Sequence, residues 1–275
     1  MKAPKIIFTD IDGTIREASG HIPKSTVRAI HELQQAGYLV VVSTGRPECE
    51  IPDRVYEIGF DGYISACGAQ VRFHDEIVLD QVIPEDLFRG IVSYMEDHEI
   101  VGYFQCPKKN FVLASQKELY LSYDERSHAL LPEGSERLYP EPAFAATAED
   151  VIHPQKMAFW GNKTSVEQFR AENDPRFEIL PLAIPSQEKY TGEIMVEGHS
   201  KGNAILTLLS HLGISQEEAV AVGDGSNDIT MFEICGYSIA LGNGSEIAKK
   251  AADLVTENID DDGFYHAFHE DLKLI

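Results

Sequence analysis

Two stretches of this chain, Tyr38-Leu39-Val40-Val41-Val42 and Ala219-Val220-Ala221-Val222, are apolar at every position. A strand with one wet face alternates polar and apolar residues. A run that is apolar throughout is instead buried on both faces, as in a parallel sheet covered by helices on either side. The segments around these runs carry the helical period such a sheet needs. Val27, Ile30 and Leu33 share one face of a helix that Ser25 is placed to cap and Gly37 to close. Ile205, Leu208, Leu209 and Leu212 form a second stripe ending at Gly213. Lys5-Ile6-Ile7-Phe8-Thr9, Gly62-Tyr63-Ile64-Ser65 and Tyr237-Ser238-Ile239-Ala240-Leu241 read as further strands, with Leu254-Val255 as a short edge strand. A short helix containing Val55, Tyr56 and Ile58 precedes the second of them. Strand–helix–strand units of this size predict an α/β fold with a doubly wound, mostly parallel sheet.

Residues 82–190 have a different texture. Short strand-like pieces such as Tyr103-Phe104 and Phe111-Val112-Leu113 are mixed with charged helical stretches and prolines. The pattern predicts a core made of residues 1–81 and 191–275, with an α+β domain at 82–190 inserted through two connections. A chain of 275 residues is long enough to bury both. The aromatic residues Tyr103, Phe104, Phe111, Phe159 and Trp160 are expected to form the small core of the insert. His21, His74, His128, His153 and His199 are expected on the surface or in packing.

Polar clusters interrupt this frame where strands end. Asp10-Ile11-Asp12-Gly13-Thr14 follows the first strand, and two carboxylates so spaced can converge at the carboxyl edge of an open sheet, where ligands bind. Ser43-Thr44-Gly45-Arg46 closes the valine-rich strand and offers a hydroxyl, a permissive glycine and a guanidinium as an anion cradle. Gly223-Asp224-Gly225-Ser226-Asn227-Asp228 follows the Ala219 strand and suits a hard cation with oxygen ligands. Ser200-Lys201-Gly202 opens a helix, where an ammonium and the helix N-terminus can face a phosphate. Each alone also reads as an ordinary turn, cap or solvated charge. Their order, with three of them after apolar strands, points to one site.

Composition limits what that site can serve. With 23 Lys and Arg against 45 Asp and Glu, the formal net charge is −22. That balance opposes nucleic acid and anionic membranes as partners, since both are bound through Lys and Arg. An anionic substrate would need local positive charge from a metal and a few placed cations. No apolar run reaches the roughly 18 residues that span a bilayer, and Met1-Lys2-Ala3-Pro4-Lys5 leads directly into a strand, so a cytoplasmic location is expected. Cys49, Cys67, Cys106 and Cys235 lack metal-site spacing and are expected as free, packed thiols.

On these clusters, together with Ala240-Leu241-Gly242-Asn243 and Asn258-Ile259-Asp260-Asp261-Asp262-Gly263, the chain resembles the haloacid-dehalogenase-like superfamily. Within it, the chain is similar to the Cof-type phosphatases with a type IIB cap, over nearly its whole length. The resemblance implies a Rossmann-like core with an inserted cap, and a magnesium-dependent phosphatase of a small phosphorylated metabolite, such as a sugar phosphate or a phosphorylated cofactor. It implies Asp10 as the nucleophile that becomes an aspartyl-phosphate, and Asp12 as the acid and base that exchanges a proton near neutral pH. Magnesium would be held by the Asp10 carboxylate, the Asp12 backbone carbonyl and Asp224, with Asp228 in the outer shell. Thr44, Lys201 and Asn227 would bind phosphoryl oxygens, beside the cradle of Gly45 and Arg46. An acid at position 12 favours phosphatase or phosphomutase chemistry, because the dehalogenases of the fold lack a carboxylate there and the P-type ion pumps carry threonine. A phosphotransferase of the same fold, or a phosphometabolite-binding regulator, remains an alternative. Cys67-Gly68-Ala69 stands where the family usually has Asn-Gly-Ala, and Cys67 is read as a packed thiol.

Overall fold

The structure is a computed structural model that describes residues 2–129, 140–161, 163–181 and 189–275, apart from the side chains of 126–129. The chain divides into two compact units. One comprises residues up to Arg46, Ile51–Asp80 and Ser200–Ile275, and the other Pro47–Glu50 and Gln81–His199.

The first unit is built on an eight-stranded sheet. Its strands are β1 (Ile6–Thr9), β2 (Leu39–Ser43), β3 (Gly62–Ser65), β4 (Gln70–Phe73) and β5 (Glu76–Asp80). The second unit contributes β6 (Val101–Gln105), β7 (Phe111–Leu113), β8 (Ala143–Ala145), β9 (Lys156–Trp160), β10 (Phe177–Pro181) and β11 (Thr191–Val196). The chain returns to the first sheet with β12 (Ala219–Gly223), β13 (Tyr237–Ala240) and β14 (Leu254–Val255). The order is β14-β13-β12-β1-β2-β3-β4-β5. Every pairing from β14 to β3 is parallel, and β4 and β5 add an antiparallel edge.

Alternate residues of the apolar strands go to opposite faces. Ile7, Val40, Val42, Val220 and Val222 pack with Ala29, Ile30 and Leu33 of the helix Lys24–Gln35 and with Phe264 and Phe268. Ile6, Phe8, Val41, Ala219 and Ala221 pack with Ile205, Leu208 and Leu209 of the helix Lys201–Leu212 and with Met231 and Phe232. The doubly wound, mostly parallel sheet expected from the apolar runs is therefore present, with helices on both faces.

Register places the site. Thr9 pairs with Val42 on one side and Val222 on the other. The residues that follow, Asp10, Ser43-Thr44 and Gly223-Asp224, therefore leave the sheet level with one another. They do so where the chain order reverses about β1, which is where open α/β sheets bind ligands.

One cap prediction is corrected. The helix Lys24–Gln35 starts behind Pro23, whose side chain caps nothing, and the Ser25 hydroxyl donates instead to the Asp262 carboxylate. Proline's fixed φ already suits the residue before a helix.

The second unit has a six-stranded sheet in the order β10-β11-β9-β6-β7-β8, antiparallel except for β7 with β8. On one face Phe104, Met157 and Phe159 pack with the helix Glu85–Asp97 and with Phe169. On the other, Val101, Tyr103, Ala158 and Trp160 pack with Tyr120 and Tyr123. The aromatic residues named from the sequence are thus this unit's core, with Phe111 partly buried against it.

Two details differ from the sequence reading. Thr191–Val196 pairs with β9 and β10, so the return to the first unit comes at Ser200 and not at 191. The segment Pro47–Glu50, directly after Arg46, also belongs to the second unit. The buried Glu50 carboxylate accepts hydrogen bonds from Gln105 Nε2 (3.1 Å) and Asn110 Nδ2 (2.7 Å) there. The chain thus passes between the units more often than the two connections expected. Among the described residues, no helix is long and apolar enough to cross a membrane.

Candidate active site

Asp10 is the first residue beyond β1, and its amide donates to the carbonyl of Val222 at 3.0 Å. Its side chain is 8% exposed. Oδ1 lies 2.8 Å from the ammonium of Lys201, which in turn lies 2.6 Å from Asp228 Oδ1. Both partners are buried. Lys201 reaches this point from the first turn of its helix, which Ser200 caps by accepting from the Asn203 amide.

The second oxygen of Asp228 accepts from the amides of Asp224 (2.9 Å) and Gly225 (2.8 Å). Both carboxylate oxygens of Asp228 are thus engaged in shaping the turn and holding the lysine. Asp224 is held from the other side by the Thr14 hydroxyl, which donates to Oδ1 at 2.9 Å. A Cβ on Gly13 would fall on the Asp224 carboxylate, and Gly13 has φ +80°, so glycine is required there on two counts. Asn243 ties down the same loop. Its Nδ2 donates to the Gly13 carbonyl (2.8 Å), and its Oδ1 accepts from the Ile259 amide (2.8 Å).

Asp10, Asp224 and Asp228 each offer a carboxylate oxygen, all within 4.8 Å of one another. Burial pushes the Asp10 carboxyl up, the neighbouring carboxylates add to this, and Lys201 opposes it. Burial and Asp228 push Asp224 up to about 6, against the hydrogen bond from Thr14. Burial alone would lower Lys201, but Asp10 and Asp228 outweigh it and keep the ammonium above its usual range. Three carboxylates gathered around one ammonium make a site short of positive charge. Its hard oxygen donors fit a divalent cation.

Asp12 is arranged otherwise. Arg46 Nε donates to Oδ2 at 2.6 Å and its Nη2 to Oδ1 at 3.0 Å, while Arg16 Nη1 donates to Oδ1 at 2.8 Å. Burial would raise the Asp12 carboxyl, but the two guanidinium groups outweigh it and hold it below the ordinary carboxylate range. A group exchanging its proton near neutral pH, as the resemblance implies, is not what this arrangement gives. In this conformation Asp12 is an ionised carboxylate. Arg46 correspondingly faces Asp12, where the sequence reading had it lining an anion cradle.

Thr44 is buried behind β2 and accepts from the Arg46 amide at 3.2 Å. Its own amide donates to the Ile64 carbonyl and its carbonyl accepts from Cys67 N. Gly45 lies between them, and Asn227 is exposed on the turn that carries Asp228. Cys67 is a packed thiol, as expected, in a left-handed conformation (φ 54°, ψ 32°) that asparagine adopts readily. Cys106 and Cys235 are buried, Cys49 is exposed, and none of the four cysteines is in a disulfide. His21, His74 and His153 are exposed and His199 is buried, while the side chain of His128 lies outside the described ones.

The sequence reading gave no role to Arg16, Thr14 or Asn243. Arg16 follows Asp12 by four residues, a spacing that pairs opposite charges on a helix. Here a tight reversal after β1 produces the same meeting without a helix.

Residues 7–268 match the model of the haloacid dehalogenase-like hydrolases. The chain belongs to this family. The YkrA protein of Bacillus subtilis is 26% identical over 97% of each chain. A protein of the same organism named phosphatase YwpJ is 26% identical over 95% of this chain and 98% of its own. A solved structure described as the subclass IIB sugar phosphatase BT4131 superposes with a TM-score of 0.77. It covers 98% of this chain and all of its own at 24% identity, which speaks to fold alone. This member of the haloacid dehalogenase-like hydrolases is thus an enzyme with the core-and-cap fold that the motifs imply.

Proposed function

We propose that the chain is a magnesium-dependent phosphatase of a small phosphorylated metabolite, working through an aspartyl-phosphate on Asp10. The observation that carries this reading is the chain of contacts Asp10–Lys201–Asp228, with Asp224 beside it, at the carboxyl edge of β1 and β12. A buried nucleophile, a buried cation and a donor set fit for a metal meet there. The kinship to a protein named as a phosphatase points the same way.

In the first step an Asp10 carboxylate oxygen attacks phosphorus, the P–O bond to the leaving group breaks, and the leaving oxygen takes a proton from the Asp12 carboxyl. Lys201 holds the other Asp10 oxygen and so fixes the attacking geometry. In the second step a water attacks the phosphorus of the acyl phosphate and loses its proton to Asp12. The Asp10–phosphorus bond breaks and inorganic phosphate leaves. Asp12, already ionised by Arg46 and Arg16, is prepared for this second duty. For the first it needs Arg46 to turn toward the phosphoryl group, which would restore its ability to carry a proton.

Asp10, Asp224 and the Asp12 backbone carbonyl would hold the magnesium ion, with Asp228 behind them. When bound, it supplies charge neutralisation for an anionic nucleophile meeting an anionic ester. Thr44, Gly45 and Asn227 are assigned to the phosphoryl oxygens with Lys201. The second unit, with its own packed core, is assigned the choice of leaving group, a sugar or cofactor moiety.

The test is phosphate release from p-nitrophenyl phosphate and a panel of sugar phosphates, nucleotides and phosphorylated vitamins, with magnesium or with EDTA. Release that needs magnesium and that Asp10→Asn abolishes is expected. Equal activity of Asp10→Asn and the parent protein, or no release from any ester, would sink the reading.

A further inference from the structure

Arg16 is the most buried of the three charged groups that meet at Asp12. Its side chain is 5% exposed, against 22% for Arg46 and 43% for Asp12. It is brought to Asp12 by purely local structure. Gly13 N donates to the Arg16 carbonyl (2.8 Å), Arg16 N donates to the Ile11 carbonyl (2.9 Å), and Asp12 and Arg16 form an isolated bridge. Arg46 comes instead from the end of a neighbouring strand and is more exposed. The two guanidinium groups share Oδ1, and Arg46 also takes Oδ2.

We propose that Arg16 is a positioning residue for Asp12. It keeps the carboxylate aimed when Arg46 leaves Asp12 for the phosphoryl group. The inference rests on the phosphatase reading of the site. Arg16 donates to the Asp12 carboxylate from a buried position, and its role is exercised through that carboxylate. A carboxylate held by one exchangeable partner would lose its orientation each time that partner turned away. A buried second partner on the same short loop prevents this at no cost in long-range order. Misplacing a proton-transfer group by about 1 Å costs on the order of 100-fold in rate.

The experiment compares Arg16→Met, which keeps an unbranched apolar stem and removes the donors, with Arg16→Lys, which restores a cation. Both are assayed with magnesium and p-nitrophenyl phosphate. Arg16→Met should lower kcat by roughly 10- to 100-fold while KM stays within about threefold. p-Nitrophenolate needs no proton to leave, so phosphorylation of Asp10 should continue while the step in which Asp12 takes a proton from water slows. A burst approaching one p-nitrophenolate per enzyme should then precede slow turnover, and Arg16→Lys should recover part of kcat. Unchanged kcat, absence of the burst, or Arg16→Lys no better than Arg16→Met would overturn the proposal.

Crystal structures of Arg46→Ala and of the double variant Arg46→Ala/Arg16→Met give a reading that needs no turnover, because neither keeps the second guanidinium on Asp12. An Asp12 carboxylate displaced only in the double variant supports the assignment, and the same carboxylate position in both overturns it. A parent protein without phosphatase activity would refute the proposed function, and the structural comparison would still decide the role of Arg16.

Discussion

At the scale of single residues, the site is a charge problem with a partial solution. Lys201 is the buried cation for two buried carboxylates, and removing one partner of such a group typically costs about 3–5 kcal/mol. The strain left over appears at Asp224, whose carboxyl rises from 3.8 to about 6. The sign follows from linkage. Below about pH 4 Asp224 is protonated whether the chain is folded or unfolded. Between about pH 4 and 6 the unfolded chain releases the proton first, so the metal-free folded state loses stability as pH rises, and above about pH 6 the loss is complete. Asp224→Asn should therefore be more stable than the parent protein in EDTA above pH 6, with the difference vanishing near pH 4. The same variant should gain less from added magnesium. Urea unfolding at a series of pH values, with and without the metal, measures both, and a pH-independent difference would contradict the assignment. The sequence disclosed which acids and which lysine gather here, because each follows a strand end or opens a helix. It could not disclose that Arg46 would turn to Asp12. That choice depends on distances set by the register of β1 and β2, and a cation cradle for phosphate and one for a carboxylate have the same composition.

At the scale of elements, one short turn braces two parts of the site. Ala66, Cys67 and Gly68 have φ of 50°, 54° and 97° in succession, a left-handed stretch that costs non-glycine residues about 1–2 kcal/mol each. Ala66 N donates to the Arg46 carbonyl (2.7 Å) and Cys67 N to the Thr44 carbonyl (3.1 Å). Gly68 abuts the carbonyl of Ser200, the cap of the Lys201 helix, so closely that a Cβ there would displace it. Gly37 offers the comparison, with φ +94° but open space around the missing Cβ. Gly37→Ala should cost about 1–2 kcal/mol from backbone strain alone and leave activity unchanged. Gly68→Ala should cost more and also lower kcat, because the Ser200–Lys201 end of the helix must move. Urea midpoints and turnover of the two variants decide it, and equal effects would remove the brace from the account. Legibility among the elements follows burial. The parallel strands β1, β2, β12 and β13 could be read because both their faces are covered. The edge strands β4 and β5 could not. Their exposure is mixed, and the turn between them, His74-Asp75, carries no glycine although His74 takes a positive φ. The unit to which Thr191–Val196 belongs is not legible, because nothing in its composition says which of two sheets it pairs with.

At the scale of the whole molecule, a net charge of −22 must coexist with an anionic substrate. Lys201 is buried and already neutralised by Asp10 and Asp228, and Arg46 and Arg16 are committed to Asp12. The positive groups of the site thus contribute little field beyond it, and the approach of a phosphate dianion is governed by the acidic surface. Salt screens such repulsion over about 10 Å at 0.1 M. The expected dependence is therefore the reverse of ordinary electrostatic steering, in which salt slows the encounter. With magnesium saturating, kcat/KM for a dianionic ester should rise by roughly two- to fivefold as sodium chloride goes from about 10 to 150 mM, then level off as the screening length falls below the size of the site. kcat should not change, since the contacts that act on the bound ester lie within a few ångströms. A neutral competitive ligand should show no such rise in affinity. If kcat/KM instead falls with salt, the local cations outreach the acidic surface, and Arg46 would have to spend much of its time away from Asp12, turned toward the incoming substrate.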